Sequence, residues 1–215
     1  MRRRRISACT LLPAADALST VLVYVYDADA RQLNPSIAAG IPTGGVDPEG
    51  RFETIGLPPG KYVLDPYARV DKTRYAMTSI QVDGRESYDT ALDLGTTDLT
   101  GVVVTLSSRT WEISGAVRDQ DGRAVPNARV ILFPENRARW LTAGYDSPRR
   151  VMRIAADPTG VFRASGALAD SYLMAAVTSP PEFWMAPEYL ETLVPFATPV
   201  RLELDQQRSV ELRLR

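Results

Sequence analysis

The sequence predicts an all-β fold: two tandem antiparallel β-sandwiches of about seven strands each, the first short of its opening strand, with one short helix in the second. Three observations predict it. A phrase is written twice, "DPEGRFETIGLPPGKY" at 47–62 and "DPTGVFRASGALADSY" at 157–172. Short runs of alternating apolar and polar residues recur along the chain, punctuated by Gly, Pro and Asp. The 215 residues suit two modules of about a hundred residues each. The expected division is an irregular leader at 1–20, a first sandwich at 21–109 and a second at 110–215.

The second unit has the clearer pattern. In "WEISGAV", Trp111, Ile113, Gly115 and Val117 fall on one face and Glu112, Ser114 and Ala116 on the other. That is the period-two mark of a strand with one buried face. "DQDG" supplies turn residues before "ARVILF", where Ala128, Val130 and Leu132 alternate with Arg129, Ile131 and Phe133. "VMRIA", "GVFRA", "SYLMAAV", "VRLEL" and "VELRL" are the further strands, with "DQQRS" as a hairpin connection between the last two. A short helix is expected at "APEYLETL", with Pro187 near its start and Tyr189, Leu190 and Leu193 on one face. Trp111 is expected in the core, so that truncation to Ala costs about 3–5 kcal/mol.

The first unit offers "VLVYVY", "GRFET", "KYVLDPY", "TSIQV", "TALDL" and "GVVVTL". No clear counterpart of "WEISGAV" precedes Val21. Either residues 6–12 supply a poor version of it, or the unit lacks an edge and exposes unpaired backbone groups. On the second alternative the chain is a fragment or a shortened reading frame. The start, "MRRRRISACTLLPAADALSTVLVYVY", has the basic run and apolar stretch of a signal peptide, but Pro13 and Asp16 interrupt it. An irregular leader is the preferred reading. No stretch reaches the roughly 18 apolar residues of a membrane-spanning helix.

The repeated phrase reads as architecture. Proline presets φ for a turn, and Gly50 or Gly160 supplies the positive φ that closes it. Phe52 or Phe162 then starts the next strand, and Tyr62 or Tyr172 returns to the core. Reactive chemistry would place ionisable or nucleophilic groups at the repeated positions, which instead hold turn formers and aromatics.

Composition narrows function further. There is no histidine, which excludes Ser–His–Asp triads, Cys–His pairs, histidine bases and histidine zinc sites. Cys9 is alone and has no internal disulfide partner. The 25 basic and 26 acidic residues leave no global field for nucleic acid or an anionic membrane. Only Lys61 and Lys72 of the basic residues are lysines, a bias of genome composition. No catalytic residue, metal site or cofactor is expected.

The run "ISGAVRDQDGRAVPNARVILFP" followed by "DPTGVFRASGALADSYLMAAV" resembles the carboxypeptidase regulatory-like domain family. Gly115, Val117, Asp119, Gly122, Val125, Ala128 and Val130 match its G-x-V-x-D-x-x-G-x-P-V-x-x-A-x-V opening, with Pro126 two places beyond the proline of the pattern. Gly160, Phe162 and Tyr172 match its G-x-F-x-x-x-x-L-P-x-G-x-Y close, with Leu168, Ala169 and Asp170 out of register for L-P-x-G. The first unit keeps the close at 47–64 and lacks the opening. The resemblance implies a transthyretin-like or carbohydrate-binding-like β-sandwich, a module of exported bacterial proteins with an extracytoplasmic location. It implies no peptidase activity, because hydrolysis in the proteins that lend the name belongs to a separate zinc domain.

Three places merit weighing as sites. Asp119 and Asp121 are too few oxygens for calcium, and a solvated turn is the better reading. "FPENRARWLTAGYDSPRRVMR" gathers Arg137, Arg139, Arg149, Arg150 and Arg153 against Glu135 and Asp146. It is either an anion- or glycan-facing loop with Trp140 and Tyr145 as stacking platforms, or solvated arginines with a tryptophan pinning the loop. Phe183 and Trp184 are likewise sugar platforms or burial. Glu188 and Glu191 are neighbours on one helix and do not face each other across a substrate. The expected function is a non-catalytic structural or interaction module. Its partners are a glycan or another protein domain, and the rival is a carbohydrate-binding module using Trp140, Tyr145, Phe183 and Trp184.

Overall fold

The computed structural model describes residues 5–11, 18, 20–28, 41–42, 45–70, 73–140 and 150–215. The chain divides into two units between Ser108 and Arg109.

The second unit is a seven-stranded sandwich. Numbering along the whole chain, its strands are β10 (Trp111–Arg118), β11 (Arg129–Pro134), β12 (Met152–Ala155), β13 (Val161–Gly166), β14 (Asp170–Val177), β15 (Thr198–Leu202) and β16 (Gln207–Arg213). They form a three-stranded sheet, β13-β10-β16, and a four-stranded sheet, β12-β11-β14-β15. Trp111, Ile113, Val117, Phe162 and Leu212 from the first meet Val130, Leu132, Tyr172, Met174 and Leu202 from the second. Each such apolar side chain removed from water contributes about 1.5–3 kcal/mol.

Both faces of β11 are buried. Ile131 and Phe133, expected on the polar face, lie in a second cluster with Trp140, Ala175, Val177, Leu190 and Leu193. The last two belong to helix α1 (Pro187–Leu193), which starts with Pro187 in its first turn and buries Leu190 and Leu193. The helix thus covers what would otherwise be an exposed apolar sheet face.

Two expectations change here. "DQQRS" does not join a hairpin: β15 and β16 belong to different sheets, and the connection crosses between them. Asp205, at φ 61°, donates its N–H to the Thr110 carbonyl in that crossing. Nor is every pair antiparallel, because β10 and β16 run parallel in register from Glu112↔Gln207 to Arg118↔Arg213.

The first unit holds β1 (Ile6–Leu11), β2 (Leu22–Asp27), β3 (Ile41–Pro42), β4 (Arg51–Glu53), β5 (Gly60–Val70), β6 (Thr73–Val82), β7 (Arg85–Glu86), β8 (Leu92–Leu94) and β9 (Leu99–Ser107). Hydrogen bonding runs in the order β3-β2-β5-β6-β9-β1-β4, with β7 on β6 and β8 on β5. Residues 6–11, expected within an irregular leader, are therefore an interior strand. β1 pairs antiparallel with β4 and parallel with β9, as β10 does with β13 and β16. Ala8 stands opposite Phe52 and Val102, just as Gly115 stands opposite Phe162 and Val210. Residues 6–11 thus supply the counterpart of "WEISGAV", the first of the two alternatives left open by the sequence.

The units differ after the repeated tyrosine. Where the second inserts α1 between β14 and β15, the first prolongs β5 and returns as β6. β6 pairs with the end of β5 and then with β9. Pro66 lies between the β8-paired and β6-paired parts of β5, where only β2 is its neighbour and one missing N–H is tolerated.

Candidate functional site

The repeated phrase builds the same corner twice. In the second unit the Asp157 and Val161 backbones pair, and the Gly160 N–H reaches the Asp157 carbonyl at 3.0 Å. Asp157 Oδ1 accepts from the Thr159 hydroxyl (2.6 Å), the Thr159 N–H (2.8 Å) and the Val161 N–H (3.0 Å). These donors, the Thr159 hydroxyl first and the Val161 N–H next, hold its carboxyl below the usual carboxylate range. In the first unit the Gly50 N–H reaches the Asp47 carbonyl, and Asp47 Oδ1 accepts from the Arg51 N–H at 2.7 Å. Gly50 and Gly160 sit at φ 81° and 80°, a conformation that glycine adopts without steric cost.

The close of the phrase is a tyrosine clamp. The Tyr62 hydroxyl donates to the Pro58 carbonyl at 2.8 Å, and the Tyr172 hydroxyl donates to the Leu168 carbonyl at 2.9 Å. Buried phenols need such partners. The Leu168 carbonyl also accepts from Trp111 Nε1 at 2.9 Å, tying the opening strand of the second unit to its close. The Asp157 carboxylate and the Tyr62 and Tyr172 hydroxyls of the recurring motif bend or fasten backbone.

The candidate aromatics do not form one surface. Trp140 is 3% exposed, packs edge-on against Phe133 and donates its indole N–H to the Pro134 carbonyl at 2.7 Å. Its ring pins the loop and offers no open face, which corrects its placement as a sugar platform. Tyr145 lies outside the described residues. Trp184 is half-buried beneath the Arg153 guanidinium, 5.3 Å from its ring centre. Of the three described, Phe183 is the strongly exposed one, at 76%.

The arginine-rich segment is largely neutralised from a distance. Arg137 grips Glu191 of α1 through two bonds of 2.8 Å. This holds the Glu191 carboxyl below its ordinary value and raises the guanidinium above its own. Asp170, at the start of β14, bonds both Arg139 and Arg150, the latter at 3.1 Å with its side chain only 11% exposed. Sequence reasoning missed both acids as partners. Glu191 was weighed only against Glu188, and Asp170 registered only as a departure from a motif. Arg149 lies outside the described residues.

The Asp119–Arg123 stretch is a turn. Asp119 Oδ1 accepts from the Asp121 and Arg123 N–H groups, while Asp121 pairs with the Arg123 side chain. Among the described residues no group of three potential metal ligands occurs. No described helix is long and apolar enough to cross a membrane. Open depressions lie along strands of both units. One of about 380 Å³ lies over Glu112, Ser114, Arg163 and Gln207, and another over Ser7, Glu53 and Thr100.

No protein-family model matches the chain, and no curated protein does. Among solved structures it is similar to GBS52, the minor pilin of Streptococcus agalactiae, at 14% identity over 98% of this chain and 94% of that one, with a TM-score of 0.36. The shaft pilin SpaA from Lactobacillus rhamnosus GG gives 12% identity, 98% and 97% coverage, and a TM-score of 0.32. BcpA, the major pilin subunit of Bacillus cereus, gives 8%, 99% and 99%, and 0.30. Similarity at this level assigns neither family nor function.

Proposed function

We propose that the chain is a non-catalytic structural or interaction module, built of two β-sandwiches of carboxypeptidase regulatory-like type and working outside the cytoplasm. The observation that carries this reading is the employment of its polar groups. The carboxylates of Asp157, Asp170 and Glu191 are each bound to a turn, a strand-end arginine pair or a helix-to-loop contact. Groups so committed hold shape and are not poised to receive a substrate. The family assignment is supported by the matched glycines and by the Tyr172 clamp.

An epitope inserted at the exposed Asp119–Arg123 turn tests the location. Protease added to intact cells is expected to remove the epitope; protection until lysis would refute an extracytoplasmic module. The glycan-binding rival rests on Phe183 and the exposed part of Trp184. Affinity electrophoresis through polysaccharide gels, wild type against Phe183→Ala, is expected to show equal mobility, and retardation lost in the variant would favour the rival.

A further inference from the structure

The internal repeat exposes a difference at one strand edge. β9 and β16 are counterparts, each running parallel to the opening strand of its unit. In the first unit the far side of β9 is covered by β6, antiparallel, from Ala76↔Ser107 to Val82↔Val102. In the second unit β16 ends its sheet.

The printed bonds fix which groups face outward. The Glu112 N–H donates to Gln206, and the Leu214 N–H donates to Arg118, so the even-numbered residues of β16 face β10. Gln207, Ser209, Glu211 and Arg213 turn their N–H and C=O groups the other way. Among the described residues no strand pairs with that side from 207 to 212. From Arg213 onward the same side is taken by Ala176 of β14, which forms a parallel bridge at Leu214 and accepts the Arg215 N–H at 3.0 Å.

Burial records the same difference. Leu92, Val102 and Leu106 of the first unit are buried, and their register counterparts Val200, Val210 and Leu214 are only partly so. The seam between β15 and β16 is therefore open along a row of apolar side chains. Other edges of this unit are blunted or have no such precedent. β15 carries Pro199, β12 has four residues, and the counterpart of β13 is itself an edge. β16 has seven residues without proline.

We propose that this edge is an interface, and that its occupant is β16 of a second copy of the chain, paired antiparallel about a two-fold axis through Val210. The first unit shows that the fold accepts an antiparallel strand beside this element. The sequence of β16 is suited to its own reverse. Centred on Val210 and running from Arg208 to Leu212, short of the bridge to Ala176, the pairing sets Ser209 opposite Glu211 and Arg208 opposite Leu212 of the second copy. No like charges stand directly opposite, and the outward Ser209 and Glu211 meet each other. Val210 meets Val210 of the second copy at the open seam. The result is one six-stranded sheet through two molecules, an isologous contact of the commonest symmetry. The inference stands on strand geometry alone, whichever compartment the chain occupies.

Sedimentation equilibrium across roughly 1–300 μM brackets micromolar association and tests the proposal on the full chain. Wild type and Ser209→Ala are expected to approach twice the monomer mass. Ser209→Pro, which deletes an outward donor that β10 does not use, is expected to keep the monomer mass. A wild type that stays monomeric throughout, or a folded Ser209→Pro that still doubles, overturns the proposal. Should Ser209→Pro fail to fold, amide exchange on the wild type decides. The Ser209 and Glu211 amides are expected to slow at least tenfold from the lowest to the highest concentration, and concentration-independent exchange overturns it.

Discussion

Gly115→Ala tests how tightly β10 and β16 are joined. A Cβ at Gly115 would lie 1.9 Å from the Val210 carbonyl oxygen and 2.7 Å from Phe162 Cζ. The aromatic ring has room to tilt, but the carbonyl belongs to a strand held by its ladder. Relief requires β16 to move, which loosens the parallel pairing and the core beneath it. The cost should reach the top of the overpacking range, about 3 kcal/mol. With a urea slope of about 2 kcal/mol/M for a unit of this size, the midpoint falls by about 1.5 M. Tryptophan fluorescence isolates the event, because Trp111, Trp140 and Trp184 all lie in the second unit. Gly122→Ala is the control: its φ of +78° is strained for alanine, but nothing lies within 4 Å. That change should cost about 1 kcal/mol. The first unit supplies a natural parallel, since Ala8 occupies the matching register. There the β1–β9 pairing is irregular between Ile6 and Ala8, and nearby Gly101 adopts φ 69°. A Gly115→Ala midpoint no lower than that of Gly122→Ala would refute the reasoning.

Removing the tyrosine hydroxyls should rank the two clamps. Tyr62→Phe leaves the carbonyl of the exposed Pro58 to water and costs about 0.5 kcal/mol, whereas Tyr172→Phe removes a buried bond, with Leu168 still bonded to Trp111, and costs about 1 kcal/mol, measured as thermal midpoints. Asp157 has a folded-state pKa below its unfolded one, so its stabilisation is present above the unfolded value and is lost as pH falls through the lowered folded value. Asp157→Asn should therefore flatten the acid limb of stability between pH 5 and the onset of acid unfolding, about pH 3, with little change of slope at neutrality. Asp170→Ala should cost about 3 kcal/mol in chemical denaturation, because it leaves the nearly buried Arg150 and its neighbour Arg139 without their shared carboxylate.

Strands and turns were legible wherever the rule needed only neighbours in sequence. Alternation placed β10, β13 and β14, the glycines placed both repeated turns, and Pro187 with Leu190 and Leu193 placed α1. What escaped depends on remote partners. "ISACTL" carries no glycine at the position of Gly115 and no strong alternation, and it becomes a strand because β4 and β9 flank it. The outward side of β11 looked half-polar until α1 covered Ile131 and Phe133. Periodicity says which face is buried but not which strand lies alongside, so the parallel pairs and the β15-to-β16 crossing were hidden. The arginine segment read as open charge for the same reason: Glu191 and Asp170 close it from far along the chain.

The parallel register of the first and last strands of each unit has a mechanical consequence. A tension applied through the chain on either side of the second unit pulls β10 and β16 in opposite directions along their common axis. The load then falls on the whole ladder from Glu112 to Arg118 at once, over roughly 20 Å of strand. Such an arrangement resists sliding collectively, where an antiparallel hairpin would peel open one bond at a time.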